Sequence, residues 1–170
     1  PDTTGHLPQP TIDAALGMGR LIRERLSHDL APKARIMASH TRRAGKNRRY
    51  DTRQRTDNNP ETYWATDDNT TQATLTLTWR RPQALRYLLL QEPIALGQRI
   101  GAFVVEGSTD GRSFSPLATE VETTTVGYRR IVPLCGSTVD SYSHPQTLRA
   151  LRIRITDAKA APLLNRIAVF

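Results

Sequence analysis

The chain has 170 residues, and its 24 basic and 16 acidic side chains give a formal net charge of +8. No run of 18 apolar residues is present, which excludes a membrane-spanning helix, and no signal peptide is visible. Cys135 is the only cysteine, which excludes an internal disulfide and a zinc site built from several thiolates. We expect a soluble globular chain, and because it begins with Pro1 instead of Met, we expect the natural N-terminus to have been removed.

The first predicted element is an amphipathic helix over residues 11–30. Thr11 is suited to cap its start, and Pro32 ends it because the residue before a proline is pushed out of the helical region. Apolar residues from Ile12 to Leu30 fall along one stripe of this helix. The stripe predicts that the helix packs on a partner.

After Pro32 the hydrophobic period changes to two, which is typical of strands. Asp110-Gly111 indicates a turn between two of these strands. Seven or eight short strands without a further helix predict an antiparallel β-sandwich or jelly roll, an all-β fold preceded by one N-terminal α-helix. The predicted strands cover residues 73–79, 85–91, 99–106, 112–118, 120–126, 128–134, 151–155 and 167–170.

A basic segment, residues 33–55, carries nine Lys or Arg side chains and one acid, Asp51. Two interpretations remain open. The segment is either a solvated loop, which is the commoner case, or a site for phosphates or sulfated sugars whose affinity falls with salt. We do not expect nucleic acid as a partner, because Tyr50 alone is available in the segment to stack on a base.

No catalytic arrangement is visible in the sequence. The four histidines are scattered, and Cys135 has no histidine base near it in the sequence. The acids between Asp57 and Asp68 lie in a turn-rich stretch, which is typical of a solvated loop. Taken alone, residues 57–64 predict a tight turn that enters a strand, with Trp64 in the core.

The same turn resembles a loop of discoidin or coagulation-factor type C domains, the sandwich shared with carbohydrate-binding module family 32. That loop reads Asp-Gly-x-x-x-Thr-x-Trp, and Asp57, Thr62 and Trp64 match it. Asn58 replaces the glycine, a mild departure because asparagine tolerates the left-handed conformation.

Other stretches resemble the C-terminal region of α-L-fucosidases of glycoside hydrolase family 29. They are residues 88–100, 126–131 and 151–157, together with residues 1–5, which resemble the segment that leaves the fucosidase catalytic barrel. The resemblance implies that residues 1–32 form a linker with a helix between barrel and sandwich, and that residues 33–170 form the sandwich.

The resemblance also implies what the chain does. The aspartate nucleophile and the acid/base carboxylate of these fucosidases belong to the barrel, so we expect no catalytic residue here. The chain is then a non-catalytic part of a retaining fucosidase that braces the barrel of the same parent chain. The family further implies an extracellular or periplasmic location.

Many related sandwiches use a glutamate near the C-terminus to complete a structural calcium site with the loop aspartate. Arg166 aligns with that glutamate, and a guanidinium cannot ligate calcium. We expect a domain without metal or other cofactor, in which Arg166 pairs with Asp57 and fastens the loop that includes Thr62.

Sugar-binding sandwiches of this kind carry a stacking aromatic ring and polar side chains on loops at one end. The aromatic candidates are Tyr50, Tyr63 and Trp64, although Trp64, like Trp79, is better explained by core packing. We expect fucosylated or galactose-containing glycans as ligands and no membrane partner. Two alternatives stay open: a stand-alone carbohydrate-binding module, and a polyanion-binding module that uses residues 33–55. The predicted glycan-binding residues are Tyr50, Arg42, Arg43 and Asn69.

Overall fold

The computed structural model describes residues 6–42, 50, 62–117, 123–134 and 145–170. In this part of the chain one α-helix, α1 (Gln9–Arg25), precedes a series of strands. The strands are β1 (Arg35–Ala38), β2 (Trp64–Ala65), β3 (Ala73–Leu85), β4 (Tyr87–Gln91), β5 (Ile100–Ser108), β6 (Ser115–Pro116), β7 (Arg130–Pro133), β8 (Gln146–Ala158), β9 (Leu163–Leu164) and β10 (Arg166–Val169).

The strands form two sheets and a short ribbon, with antiparallel pairing throughout. The larger sheet has the order β1-β3-β8-β5-β6, the smaller has the order β10-β4-β7, and β2 pairs with β9. Apolar side chains from both sheets and the ribbon meet in one buried cluster. The predicted all-β antiparallel sandwich with one N-terminal helix is confirmed.

The period of two along β3 and β8 explains why these strands pair as they do. Leu75 lies opposite Ile153 and Leu77 opposite Leu151, and all four side chains are buried in the core. The threonines between them in β3 are half-buried on the opposite face. A shift of one residue would exchange these faces, so the hydrophobic pattern fixes the register.

Strand β4 is buried on both faces, as its short apolar run predicts. Leu88 and Leu90 point into the main core. On the opposite face Leu89 joins Ala168 and Phe170 in a second cluster, against which Leu26 packs from the end of α1. The outer face of the smaller sheet is therefore apolar where the N-terminal segment crosses it.

The helix differs from its prediction at both ends. It begins at Gln9, after Pro8, so Thr11 is inside the first turn and is not its N-cap residue. It ends at Arg25 and does not continue to Leu30. No helix in the described ranges has the length and apolar character needed to cross a membrane.

Tertiary hydrogen bonds explain the early end of the helix. The Asp29 Oδ1 atom accepts hydrogen bonds from the backbone N–H groups of Ala31 (2.9 Å) and Val169 (3.0 Å). The Leu30 N–H donates to the Val169 carbonyl at 2.7 Å, and the Leu30 carbonyl accepts from Trp79 Nε1 at 2.9 Å. These bonds tie residues 29–31 to both sheets, and a continued helix would give them up.

Several strand predictions are corrected. Over residues 112–117 the expected strand is reduced to the two residues of β6, and residues 123–126 are not in a strand. Residues 118 and 120–122 of these predicted strands lie outside the described residues. Strand β1 was not predicted, because its four residues lie in the basic segment and their pattern is too short to stand out. Its pairing with β3 makes this part of residues 33–55 sheet instead of loop.

Candidate functional site

Two tyrosines and an arginine meet at the surface beside β2. The ring centroids of Tyr50 and Tyr63 are 5.4 Å apart with an interplanar angle of 56°. The guanidinium carbon of Arg42 lies 5.8 Å from the Tyr50 ring centroid, and Arg42 also forms an ion pair with the exposed carboxylate of Asp68. We call these four residues the Tyr50 cluster; they place aromatic, cationic and anionic groups on one surface.

Buried neighbours hold the cluster in place. Trp64 is fully buried and its Nε1 atom donates to the His40 carbonyl at 3.0 Å, which confirms its predicted core position. The Arg42 N–H donates to the Ala65 carbonyl at 2.7 Å. Because Trp64 pairs with Leu164 in the ribbon, the backbone on both sides of the cluster is anchored to the core.

A tight turn positions Asp68. The Thr70 N–H donates to the Asp67 carbonyl at 3.2 Å, and the hydroxyl of buried Thr66 donates to the Thr70 carbonyl at 3.1 Å. Asn69 has φ 68°, the left-handed conformation that asparagine tolerates better than most residues. The turn therefore leaves the side chains of Asp68 and Asn69 exposed next to Arg42.

Of the four predicted glycan-binding residues, three lie in described parts of the chain, and two of these three are in contact. Arg42 and Tyr50 are in contact, and Asn69 follows the acid that pairs with Arg42. Arg43 lies outside the described residues. Sequence reasoning did not assign Asp68 to the site, because an acid in a turn gives no signal of its partner 26 positions away.

The predicted loop fastening is described only in part. Arg166 is half-buried at the start of β10, opposite Gln91, and the antiparallel ribbon places Thr62 and Arg166 at the same end. Asp57 lies outside the described residues, so its pairing with Arg166 stays a prediction.

Among the described residues no group of three His, Cys, Asp or Glu side chains is arranged to hold a metal ion.

A buried carboxylate that sequence reasoning missed fixes two further loops. Glu92 is fully buried, and its Oε1 atom accepts hydrogen bonds from the backbone N–H groups of Arg99 (2.8 Å) and Ile100 (3.0 Å). Its Oε2 atom accepts from the Gly127 N–H at 2.9 Å. Gly127 has φ 65°, so a side chain at this position would be strained. We call this arrangement the Glu92 clamp; it joins residues 93–99 to residues 126–129.

Helix α1 exposes large apolar side chains on more than one side. At 3.6 residues per turn Leu16 lies about 120° from Ile22 around the helix, so one neighbour cannot cover both. Leu21, Ile22 and Ile131 line a shallow groove of about 200 Å³ between α1 and the smaller sheet. We call the following set the apolar face; its members are between 39% and 64% exposed. They are Met18, Leu21, Ile22 and Ile131.

Most of the chain matches a known protein family. The F5/8 type C domain matches residues 35–167, which run from β1 into β10. The chain belongs to this family. This match confirms the resemblance to discoidin-like sandwiches, which the loop before Trp64 indicated.

The relatives of this F5/8 type C domain include α-L-fucosidases. Alpha-L-fucosidase 1 of Arabidopsis thaliana is 24% identical over 170 residues, which are 100% of this chain and 31% of that protein. An α-L-fucosidase structure from Bacteroides thetaiotaomicron is 25% identical with a TM-score of 0.82, and the match covers 100% of this chain and 34% of that one. The chain thus spans about a third of the length of these relatives, and its resemblance to fucosidases is confirmed.

The fold also occurs in carbohydrate-binding modules. CpGH89CBM32-5 from Clostridium perfringens, solved in complex with GalNAc-β-1,3-galactose, has a TM-score of 0.67 and 10% identity over 84% of this chain and 99% of that module. At this identity the likeness concerns the fold alone.

Proposed function

We propose that this F5/8 type C domain is the non-catalytic C-terminal portion of an α-L-fucosidase-like glycoside hydrolase, and that it braces the catalytic part of the same parent chain. The parent hydrolyses terminal α-L-fucose with retention of configuration, outside the cytoplasm. The relatives at 24% and 25% identity support this proposal, because they are fucosidases about three times as long as the matched segment.

The observation that carries the bracing role is the apolar face. Burying a side chain of Leu, Ile or Met size stabilises an assembly by about 1.5–3 kcal/mol relative to leaving it exposed. Met18, Leu21 and Ile22 are all more than half exposed on one helix, so the described residues leave most of their surface uncovered. The two thirds of the relatives that this chain does not match supply the occupant that we propose.

The bracing role can be tested in the parent polypeptide. Leu21→Gln with Ile22→Gln should make its fucosidase activity fail at a lower temperature, measured by residual hydrolysis of 4-nitrophenyl α-L-fucoside after heating. Arg20→Gln with Arg23→Gln is the matched control on the same helix and should have no effect. Equal inactivation profiles for both variants and the wild type would contradict the bracing role.

A specific observation favours glycan binding as a second function. The Tyr50 cluster offers two tyrosine rings for apolar contact with a sugar face, and the Arg42–Asp68 pair offers donors and acceptors for its hydroxyls. Ligand sites of this kind combine apolar surface with a few placed polar groups. We propose that fucosylated or galactose-containing glycans bind here.

The experiment for this site is calorimetric titration of the 170-residue chain with 2′-fucosyllactose and with galactose. Tyr50→Ala should weaken binding at least tenfold. Tyr128→Ala is a close control, because Arg129 lies over the exposed Tyr128 ring at 5.7 Å, much as Arg42 lies over Tyr50. Equal affinity in the wild type and the Tyr50 variant would exclude the cluster as the glycan site.

A further inference from the structure

Strand β3 contains an irregularity next to the basic segment. Between the pairs Thr78–Ala150 and Gln83–Leu148, β3 advances five positions while β8 advances two. In a regular strand neighbouring side chains point to opposite faces, so two adjacent arginines could not both be exposed above a buried core. In this bulge Arg80 and Arg81 are both exposed. Bulges commonly re-aim side chains in this way beside functional sites.

The bulge opens a cleft of about 550 Å³ lined by Lys33, Trp79, Arg80, Arg81 and Gln83. Trp79 lines the cleft, is only 2% exposed, and donates its indole N–H to the Leu30 carbonyl. Gln83 Nε2 donates to the carbonyls of Arg81 (3.1 Å) and Pro82 (3.0 Å), which holds the bulge in shape. Three cations therefore line one open concavity.

These cations differ from three other arginines of the described structure, which are paired with acids. Arg152 and Arg154 both lie 3.4 Å from the Glu106 carboxylate, and Arg42 pairs with Asp68. Within the described ranges no acid lines the cleft, and no ion pair involves Lys33, Arg80 or Arg81. Three positive charges that no described acid compensates, around one concavity, attract an anion.

We propose that this basic cleft binds an anionic polysaccharide, through sulfate or carboxylate groups on neighbouring sugars. Guanidinium groups bind such groups in a bidentate fashion, and Lys33 adds a third charge-assisted donor. Nucleic acid fits less well, because the one aromatic residue of the cleft is buried and its face is not available for base stacking. The site is separate from the Tyr50 cluster, since Lys33 precedes β1 and Arg42 follows it.

The test uses the 170-residue chain, with dextran sulfate as probe and neutral dextran as reference. The cleft variant carries Lys33→Gln, Arg80→Gln and Arg81→Gln. A charge-matched control carries Arg20→Gln, Arg23→Gln and Lys159→Gln. Each variant loses three positive charges, which lowers the net charge from +8 to +5.

The cleft variant should bind dextran sulfate at least tenfold more weakly, and the control should stay within twofold of the wild type. The slope of log affinity against log salt should fall by about 2 in the cleft variant alone, because three counterion-releasing contacts are lost. Arg80→Lys with Arg81→Lys keeps the charge and should retain part of the affinity, which separates site chemistry from folding.

Three results would overturn the proposal. The first is an equal loss of affinity in the cleft and control variants, which would indicate a net-charge effect. The second is the absence of any preference for dextran sulfate over dextran. The third is cleft-dependent binding of duplex DNA or phosphatidylserine vesicles that is tighter than the binding of dextran sulfate. Circular dichroism of both triple variants checks that the fold is kept.

Discussion

Single buried polar side chains determine the shape of the loops in this sandwich. Glu92 shows the strongest case, because one fully buried carboxylate accepts three backbone N–H groups from two separate segments. A carboxylate can accept at every one of these positions, whereas an amide presents a donor on one side. The charge and the acceptor-only chemistry of Glu92 are therefore both required.

Replacing this carboxylate tests the clamp. Glu92→Gln should lower the free energy of unfolding by about 2–4 kcal/mol, because the new amide group faces a buried N–H donor that it cannot satisfy. Urea unfolding measures the loss, and Glu24→Gln on the exposed surface of α1 is the control. A loss below about 0.5 kcal/mol, the usual effect of a surface substitution, would contradict the clamp.

The hydrogen bonds of Asp110 lead us to expect a free energy of unfolding that falls at acid pH. It accepts hydrogen bonds from the backbone N–H groups of Arg112 (2.7 Å) and Ser113 (2.8 Å) and from the Ser108 hydroxyl (2.8 Å). These bonds favour the charged form and hold the pKa of Asp110 well below its usual range, the Arg112 bond being the largest cause. The turn predicted at Asp110-Gly111 is confirmed, with Gly111 at φ 79°.

The sign of the effect follows from this lowered pKa. The carboxylate contributes stability above its unfolded pKa of about 3.9, and that contribution is lost as the pH falls toward the folded pKa. Asp110→Asn should therefore lose less stability than the wild type between about pH 6 and about pH 3, measured by urea unfolding. Thr109→Ala changes the same turn and should keep the wild-type dependence. Parallel pH profiles for the wild type and Asp110→Asn would contradict this explanation.

At the residue scale, sequence reasoning identified apolar positions better than polar partners. Trp64 and Trp79 were assigned to the core from their strand phase, and both are buried. Glu92 was overlooked because its partners are backbone groups 7, 8 and 35 positions away, which no side-chain pattern reveals. Arg42 and Tyr50 were predicted only as glycan-binding residues, and no sequence pattern indicated that the Arg42 guanidinium lies over the Tyr50 ring.

At the scale of elements, α1 joins the sandwich through its last turn. Leu26 packs on Leu89 and Phe170, whereas Leu16 is 58% exposed in the middle of the helix. Leu26→Ala should cost about 1–2 kcal/mol of unfolding free energy, less than a fully buried leucine because the site is only partly covered. Leu16→Ala should stay within about 0.5 kcal/mol. Equal costs in urea unfolding would show that α1 packs differently.

The elements predicted from the sequence are those with a long repeating pattern. β3, β4, β5 and β8 combine several apolar positions with a clear period, and they form the centres of the two sheets. Of the strands of two to four residues, β7 and β10 overlap predicted strands, whereas β1 and β9 carry too little pattern to be recognised. The end of α1 was mispredicted for a related reason, since Asp29 and Leu30 bond to distant backbone groups.

At the scale of the whole molecule, three surfaces remain to be explained by partners. The apolar face points to the rest of a longer chain, the Tyr50 cluster to a neutral glycan, and the basic cleft to an anionic one. They lie on different elements: α1 with β7, the loops beside β2, and the bulge of β3. An accessory domain with these surfaces would hold glycan near a catalytic domain that it also stabilises.

The most direct measurement is the size of the natural polypeptide that carries this domain. Immunoblotting of source-cell extract and medium with an antibody against the domain should reveal a band about three times the 19.0 kDa of this chain, since the chain makes up 31–34% of the fucosidases that it matches. That band should co-purify with α-L-fucosidase activity. A single band near 19.0 kDa without such activity would contradict the account.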